Sequence, residues 1–159
     1  MNSILFYAIL LSILPIAELR GGIPYAIAND INPFVAYFVC VGANILAFPI
    51  VFLFLEFFHP IFMNVNIYKN LFEKLIIKTR KKVENKIDKY GFWGLMIFVM
   101  IPLPVTGAYT GSLAAWLFNI PKKIAFISVL LGVMISGIIV TIIMLTGIEA
   151  LQFLLKDMQ

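Results

Sequence analysis

Residues 15–24 read PIAELRGGIP. Two ions, Glu18 and Arg20, stand among two glycines and two prolines, inside a stretch otherwise apolar enough to lie in a bilayer. A regular spanning helix has no use for such a run. Proline and glycine interrupt helices, and an ion at the bilayer centre costs at least about 2.5 to 3.5 kcal/mol on insertion scales. The stretch therefore reads as the tip of a hairpin that dips into the membrane and returns. Irregular backbone survives at that depth only where protein buries it or a cavity hydrates it.

The composition supplies the membrane. The 159 residues are 62% hydrophobic and only 13% charged, with a mean hydropathy of +1.02, and soluble domains carry roughly 25% charged residues. So few polar side chains could not cover a soluble surface. The opening MNSILFYAILLSILP has no basic start, and no small-residue cleavage site is followed by a soluble mature domain, so it reads as structure and not as a signal peptide. The single cysteine, Cys40, excludes an intramolecular disulfide framework or a CxxC metal site and fits a small buried hydrophobe. A net charge of +4 does not imply nucleic acid, because the basic residues gather between Lys69 and Lys89, with Arg20, Lys122, Lys123 and Lys156 outside that stretch. Such clustering is what membrane orientation produces.

Four apolar blocks follow one another: 1–31, 33–58, 91–118 and 124–148. The second and fourth are uninterrupted for about 25 residues, enough for a tilted spanning helix. The first is split by Pro15, Gly21, Gly22 and Pro24, the third by Pro102, Pro104, Gly107 and Gly111, and neither limb of either block is long enough to cross. The linker 64–90 places Ile67, Leu71, Leu75, Ile76, Val83 and Ile87 on an approximate helical stripe among lysines and glutamates, as a surface amphipathic helix does. If all four blocks crossed, the linker and Lys122 with Lys123 would fall on opposite sides. With the first and third blocks as hairpins, every basic residue from Lys69 to Lys123 lies on one side, as the positive-inside rule prefers. The expected fold is an all-α integral membrane protein of two inverted repeats, each a re-entrant helical hairpin plus a transmembrane helix, joined by a cytoplasmic amphipathic helix, with both termini outside. IAELRGGIPYAIANDINP and VTGAYTGSLAAWLFNIP, each followed by a span, are the weakly similar halves. Inverted repeats of this kind hold their site where the broken segments meet.

Glu18 and Arg20 are the foremost candidates for chemistry. Arg20 is suited to an anionic head such as phosphate through its planar fork, and Glu18 to carrying a proton or balancing that charge. The bland alternative is an ion pair that locks the tip, although residues two apart do not face each other on a regular helix. Gly21 and Gly22 complete the motif. Asp30, in NDINP, is a turn residue or a second proton acceptor, and Asn44 is a structural amide for a hairpin carbonyl. In the second hairpin Thr106, Tyr109, Thr110 and Ser112 offer hydroxyls, and the start of its second limb can attract an anion. No HExxH, Walker A or GxSxG motif occurs, and Glu56 and His59 form no metal-binding spacing, so neither enzyme activity, metal nor cofactor is expected.

IAELRGGIPYAIA and IPLPVTGAYTGSLAAWLF resemble the signature hairpins of the small multidrug export protein family over nearly the whole chain. That family is similar in turn to the DedA superfamily, whose members share paired re-entrant hairpins and are linked to transport of polyprenyl-phosphate carriers and to proton-dependent drug tolerance. The resemblance implies that Glu18 stands for an essential hairpin acid and Arg20 for the positive charge. The stretch from Val105 to Trp116 holds no arginine where DedA members have them, so a clamp of several arginines is not carried over. Three readings follow. The first is an ion-coupled transporter or flippase of an anionic lipid, the second a proton-coupled exporter of cationic amphiphilic drugs, and the third a scaffold that transports nothing. Membrane lipids are the expected partners in each. Two crossings leave a thin wall around any pathway, a reason to expect a homo-oligomer. Gly132, Ser136 and Gly137 form a close-packing face whose partner, another subunit or the chain's own hairpin, stays open at this level.

Overall fold

The computed structural model describes residues 2–62, 91–103 and 106–156. The amphipathic helix expected over 64–90 lies outside the described residues. Among the described residues every regular element is an α-helix: α1 Asn2–Ile13, α2 Glu18–Ala28, α3 Pro33–Ile45, α4 Ala47–Phe62, α5 Gly91–Met100, α6 Ala108–Leu117 and α7 Lys122–Lys156. Helices α3 and α4 run on as one apolar stretch, Pro33–Phe58, of 26 residues, and α7 carries a second, Lys122–Ile148, of 27 residues. Each reaches roughly 40 Å, enough for the ~30 Å hydrocarbon core. The other four helices have 12, 11, 10 and 10 residues, about half that length.

Local chemistry explains these boundaries. Asn32 caps α3, its side chain accepting from the Phe34 N–H at 2.9 Å, with Pro33 at the first helical position, where its missing N–H costs nothing. The joint at Leu46 precedes Pro49, which cannot donate to the Ile45 carbonyl. α2 and α6 end alike. Asp30 and Asn119, 89 positions apart, both adopt left-handed backbone (φ 62° and 53°). The next residues donate back in the same way, Ile31 to the Ala26 carbonyl at 3.1 Å and Ile120 to the Ala115 carbonyl at 2.9 Å. A left-handed residue that lets the following N–H reach back to a helix carbonyl is a standard helix stop.

α1 and α2 form an antiparallel hairpin. Tyr7 meets Tyr25 edge-on with ring centroids 6.4 Å apart. A Cβ on Gly22 would meet Ser12 Oγ, the Ala8 carbonyl oxygen at 2.8 Å and Cys40 Sγ at 3.1 Å. α5 and α6 form the second hairpin, with Gly111 fitted against Val99. Between the hairpins the long helices run antiparallel: Tyr37 donates to the Met134 carbonyl at 3.1 Å, Phe48 packs on Phe126 at 5.3 Å, and Glu56 pairs with Lys122. The small-residue face of α7 is used within the chain. Gly132 admits Val99 of α5 and Gly137 admits Val41 and Tyr37 of α3. Asn44, fully buried, donates to the Ser12 carbonyl at 2.8 Å and so satisfies the frayed end of α1, the structural role read from the sequence.

Candidate functional site: the seam between two hairpin tips

Each hairpin breaks in its middle, and the two breaks meet. After Ile13 the chain turns through residues 14–17, closed by the Glu18 N–H donating to the Leu14 carbonyl at 3.0 Å. Glu18 itself sits in left-handed backbone (φ 49°), which an L side chain rarely adopts. A non-glycine residue held there costs about 1 to 3 kcal/mol and persists only where its surroundings fix it. Its carboxylate supplies the reason. Oε2 accepts from the Ala108 N–H and Oε1 from the Tyr109 N–H, each at 3.3 Å. These are first-turn donors of α6 without partners in their own helix. A carboxylate there also meets the positive end of the helix dipole. Gly107 makes the approach feasible, because its backbone (φ 134°, ψ −166°) is open essentially to glycine alone and its absent Cβ would strike the Glu18 carboxylate.

Arg20 takes the other side of the same break. Its guanidinium donates through Nη1 to the Leu103 carbonyl and through Nη2 to the Thr106 carbonyl, and Nη2 lies 3.7 Å from Glu18 Oε2. Two carbonyls in the interruption after α5 thus receive a cation, that of Leu103 alongside the Thr106 N–H at 3.2 Å, while the first two amides of α6 receive an anion. Residues two apart pair here because Glu18, the first residue of α2, has left-handed and not helical backbone. Thr106 Oγ1 lies 2.7 Å from both the Ile101 and Leu103 carbonyls and accepts from the Leu103 N–H at 3.1 Å, which shapes the break. The Tyr109 hydroxyl crosses back to the Ile13 carbonyl.

Glu18, Arg20, Thr106 and Tyr109 are therefore brought together. Gly21 and Gly22 lie beside them but serve packing: a Cβ on Gly21 would stand 2.8 Å from Ala17 Cβ, and Gly22 is closed in by α1 and α3. Thr110 turns to its own helix, Oγ1 3.4 Å from the Gly107 carbonyl. Asp30 is exposed at the far end of α2, roughly 18 Å along the helix from Glu18. Gly107 and the Leu103 carbonyl were not singled out as site groups by the sequence, although the glycine's place between a proline-rich break and a new helix was a signal for a helix start that needs room.

Two grooves flank the seam. One, of about 520 Å³, runs between α2 and α7 and is lined by Arg20, Pro24, Val140, Ile143 and Met144, with open space at Gly147. The other, of about 400 Å³, runs between α6 and α4 and is lined by Tyr109, Leu113, Val51, Phe54 and Leu55. Five lining residues of each groove (Arg20 and Tyr109, Pro24 and Leu113, Val140 and Val51, Ile143 and Phe54, Met144 and Leu55) correspond at the same 89-residue spacing that relates Asp30 to Asn119, while Pro102, Gly147 and Ile148 of the first and Ile50 and Thr110 of the second have no such counterpart. Only the first carries a charge. The Arg20 side chain is 25% exposed, whereas that of Glu18 is 6% exposed.

The profile of the family described as "Putative small multi-drug export protein" matches residues 18–139, most of the chain, from Glu18 through both hairpins into α7. This chain belongs to that family. With two helices long and apolar enough to cross a bilayer, this small multi-drug export family member is an integral membrane protein. No curated protein and no solved structure matches it.

Proposed function

We propose that the chain is a multi-pass, ion-coupled secondary transporter of the DedA-like type, which moves an anionic amphiphile, such as a polyprenyl-phosphate carrier lipid, along the seam between two re-entrant hairpins. The observation that carries this reading is the groove at Arg20, apolar throughout except for one accessible cation. An anionic head is drawn to the guanidinium, whose fork suits phosphate, while chains lie along Met144 and Ile143. The carboxylate is sealed beneath, so the accessible charge has the wrong sign for a cationic drug.

The antiparallel long helices and the recurring 89-residue spacing support an inverted repeat. The Glu56 pair with Lys122 supports the hairpin placement, since it brings the end of α4 and the start of α7 to one side although residues 91–118 intervene. The two grooves then open toward opposite faces, separated by the seam. For the head to pass, Glu18 must leave the α6 amides and Arg20 the two carbonyls. The family description and the buried Glu18 favour a second reading, proton-coupled export of cationic amphiphiles. The mutual satisfaction of both ions favours a third, a scaffold, which predicts that the exchange Glu18→Arg with Arg20→Glu keeps function.

Topology is checked with Lys123→Cys and Asn29→Cys, each in a Cys40→Ser background. A membrane-impermeant maleimide added to intact cells should label Asn29→Cys and spare Lys123→Cys. Labelling of both from outside would reject the inverted arrangement. The substrate is checked in vesicles with a fluorescent polyprenyl-phosphate analogue. Wild type should move it, and Gly147→Leu, which fills open groove beside Arg20, should slow it with unchanged thermal stability. If wild type moves only a cationic dye and Arg20→Gln still does so, the lipid reading is abandoned for the exporter.

A further inference from the structure

Release of Glu18 and Arg20 does not by itself free the two hairpins. The Tyr109 hydroxyl, on the first turn of α6, donates across the seam to the carbonyl of Ile13, the last residue of α1. Anything that passes between the hairpins has to break this contact too.

Tyr109 and Arg20 hold corresponding places. They are 89 positions apart, and each lies on the first turn of the second limb of its hairpin. Each reaches backbone carbonyls at the break of the other hairpin, Arg20 those of Leu103 and Thr106, and Tyr109 that of Ile13. Each also lines the groove on its own side, Arg20 the one against α7 and Tyr109 the one against α4. The packing behind them keeps the same spacing, since a Cβ on Gly22 would stand 3.1 Å from Cys40 Sγ and one on Gly111 3.8 Å from the Val129 side chain. The chemistry differs. A guanidinium makes charge-assisted bonds, roughly twice as strong as neutral ones, and has Glu18 Oε2 3.7 Å away. The phenol holds one carbonyl through a neutral bond, a tie easily broken and remade.

We propose that the Tyr109 hydroxyl is the latch of the second groove: bonded to Ile13 it holds α6 against the first hairpin, and its release opens the groove between α6 and α4 to the seam. Tyr109 is thus a positioning residue, acting through the hold between the hairpins and not by binding the head. The uncharged groove it guards receives the amphiphile that Arg20 gathers on the other side. This role in transport rests on the reading of the seam as the path, whereas the latch itself is measurable with no substrate present.

Ile16→Cys and Leu113→Cys, both at exposed side chains, one on the tip of the first hairpin and one on α6, are combined in the Cys40→Ser background. The pair is spin-labelled in nanodiscs, and the distance between labels is read by pulsed electron paramagnetic resonance. Tyr109→Phe keeps the ring in the groove and the amide on Glu18 and loses only the hydroxyl. It should move population from the closed distance to a longer one, changing their ratio roughly 2- to 10-fold, as expected for one neutral hydrogen bond. Ser112→Ala removes a hydroxyl that bonds only within α6, to the Ala108 carbonyl at 2.6 Å, and should leave the distances alone. An unchanged distribution in Tyr109→Phe would overturn the latch, and so would an equal shift in Ser112→Ala. In vesicles with the fluorescent polyprenyl-phosphate analogue, Tyr109→Phe should raise kcat about 2-fold or more at constant KM, whereas Arg20→Lys should raise KM. A fall in kcat of the same size in Tyr109→Phe and Ser112→Ala would reduce the hydroxyl to a structural contact and overturn the proposal. A distance shift in a protein that moves no lipid would keep the latch and overturn the lipid reading alone.

Discussion

Arg20→Gln is expected to lose translocation and to unfold more readily at once. The substitution removes a fork that satisfies two carbonyls, Leu103 and Thr106, and leaves the Glu18 carboxylate without its neighbouring charge. Removing one partner of a fully buried pair costs about 3 to 5 kcal/mol. Arg20 is a quarter exposed, so solvent screening lowers the expectation to roughly 2 kcal/mol, read as a drop in melting temperature in detergent. Losing a charge-assisted contact to an anionic head is worth about 1.5 to 3 kcal/mol, or roughly 10- to 150-fold in apparent affinity. Arg20→Lys tells the two effects apart: a point charge keeps attraction for the head but cannot bridge both carbonyls. Partial transport with reduced stability would fit the geometry, while full transport by Arg20→Gln would remove the arginine from the mechanism.

The second large effect is expected at Gly107. Gly107→Ala forces a side chain into backbone that only glycine adopts readily, at about 1 to 3 kcal/mol, and drives its Cβ into the Glu18 carboxylate, at about 1 to 3 kcal/mol more. A double-mutant cycle with Glu18→Ala isolates the second part. In the Glu18→Ala background the alanine at 107 should cost only the backbone strain, giving a coupling of roughly 1 to 3 kcal/mol between residues far apart in sequence. Additive effects in denaturation midpoints would mean that the carboxylate does not rest on the start of α6.

The two long helices were legible because nothing interrupts their apolar runs. The breaks were legible because prolines and paired glycines announce them. Asn44 was readable as support, since an amide well inside an apolar run has few other uses. The content of the seam was less so. Sequence spacing identified Glu18 and Arg20 as the ions and the start of the second limb as a place for an anion, but not that Glu18 is the anion found there. The contact spans 90 residues and is written only in the absence of a side chain at Gly107. Gly21 and Gly22 looked like part of a binding motif because they adjoin the ions. Their role is set by what lies behind them, Ala17 on the tip and Ser12, Ala8 and Cys40 on α1 and α3, which no local pattern reveals. Asp30, readable from NDINP as a turn residue or a second acid, has a left-handed backbone that matches Asn119 and stands at the helix stop after α2.

The distance along the chain between Glu18 and its amides has a consequence for biogenesis. At about 5 to 20 residues per second of synthesis, Ala108 emerges roughly 5 to 18 s after Glu18. If the first hairpin is re-entrant as proposed, it sits in or near the bilayer throughout that interval with its carboxylate still undocked. Arg20, two residues away, is the one counterion made alongside it, so the pair travels as a neutral unit until the second hairpin is made. In the proposed re-entrant arrangement, an ion pair that ends as half of a seam begins as the device that lets a charged tip enter the membrane early, and variants at Arg20 should show their defect already in the yield of inserted protein.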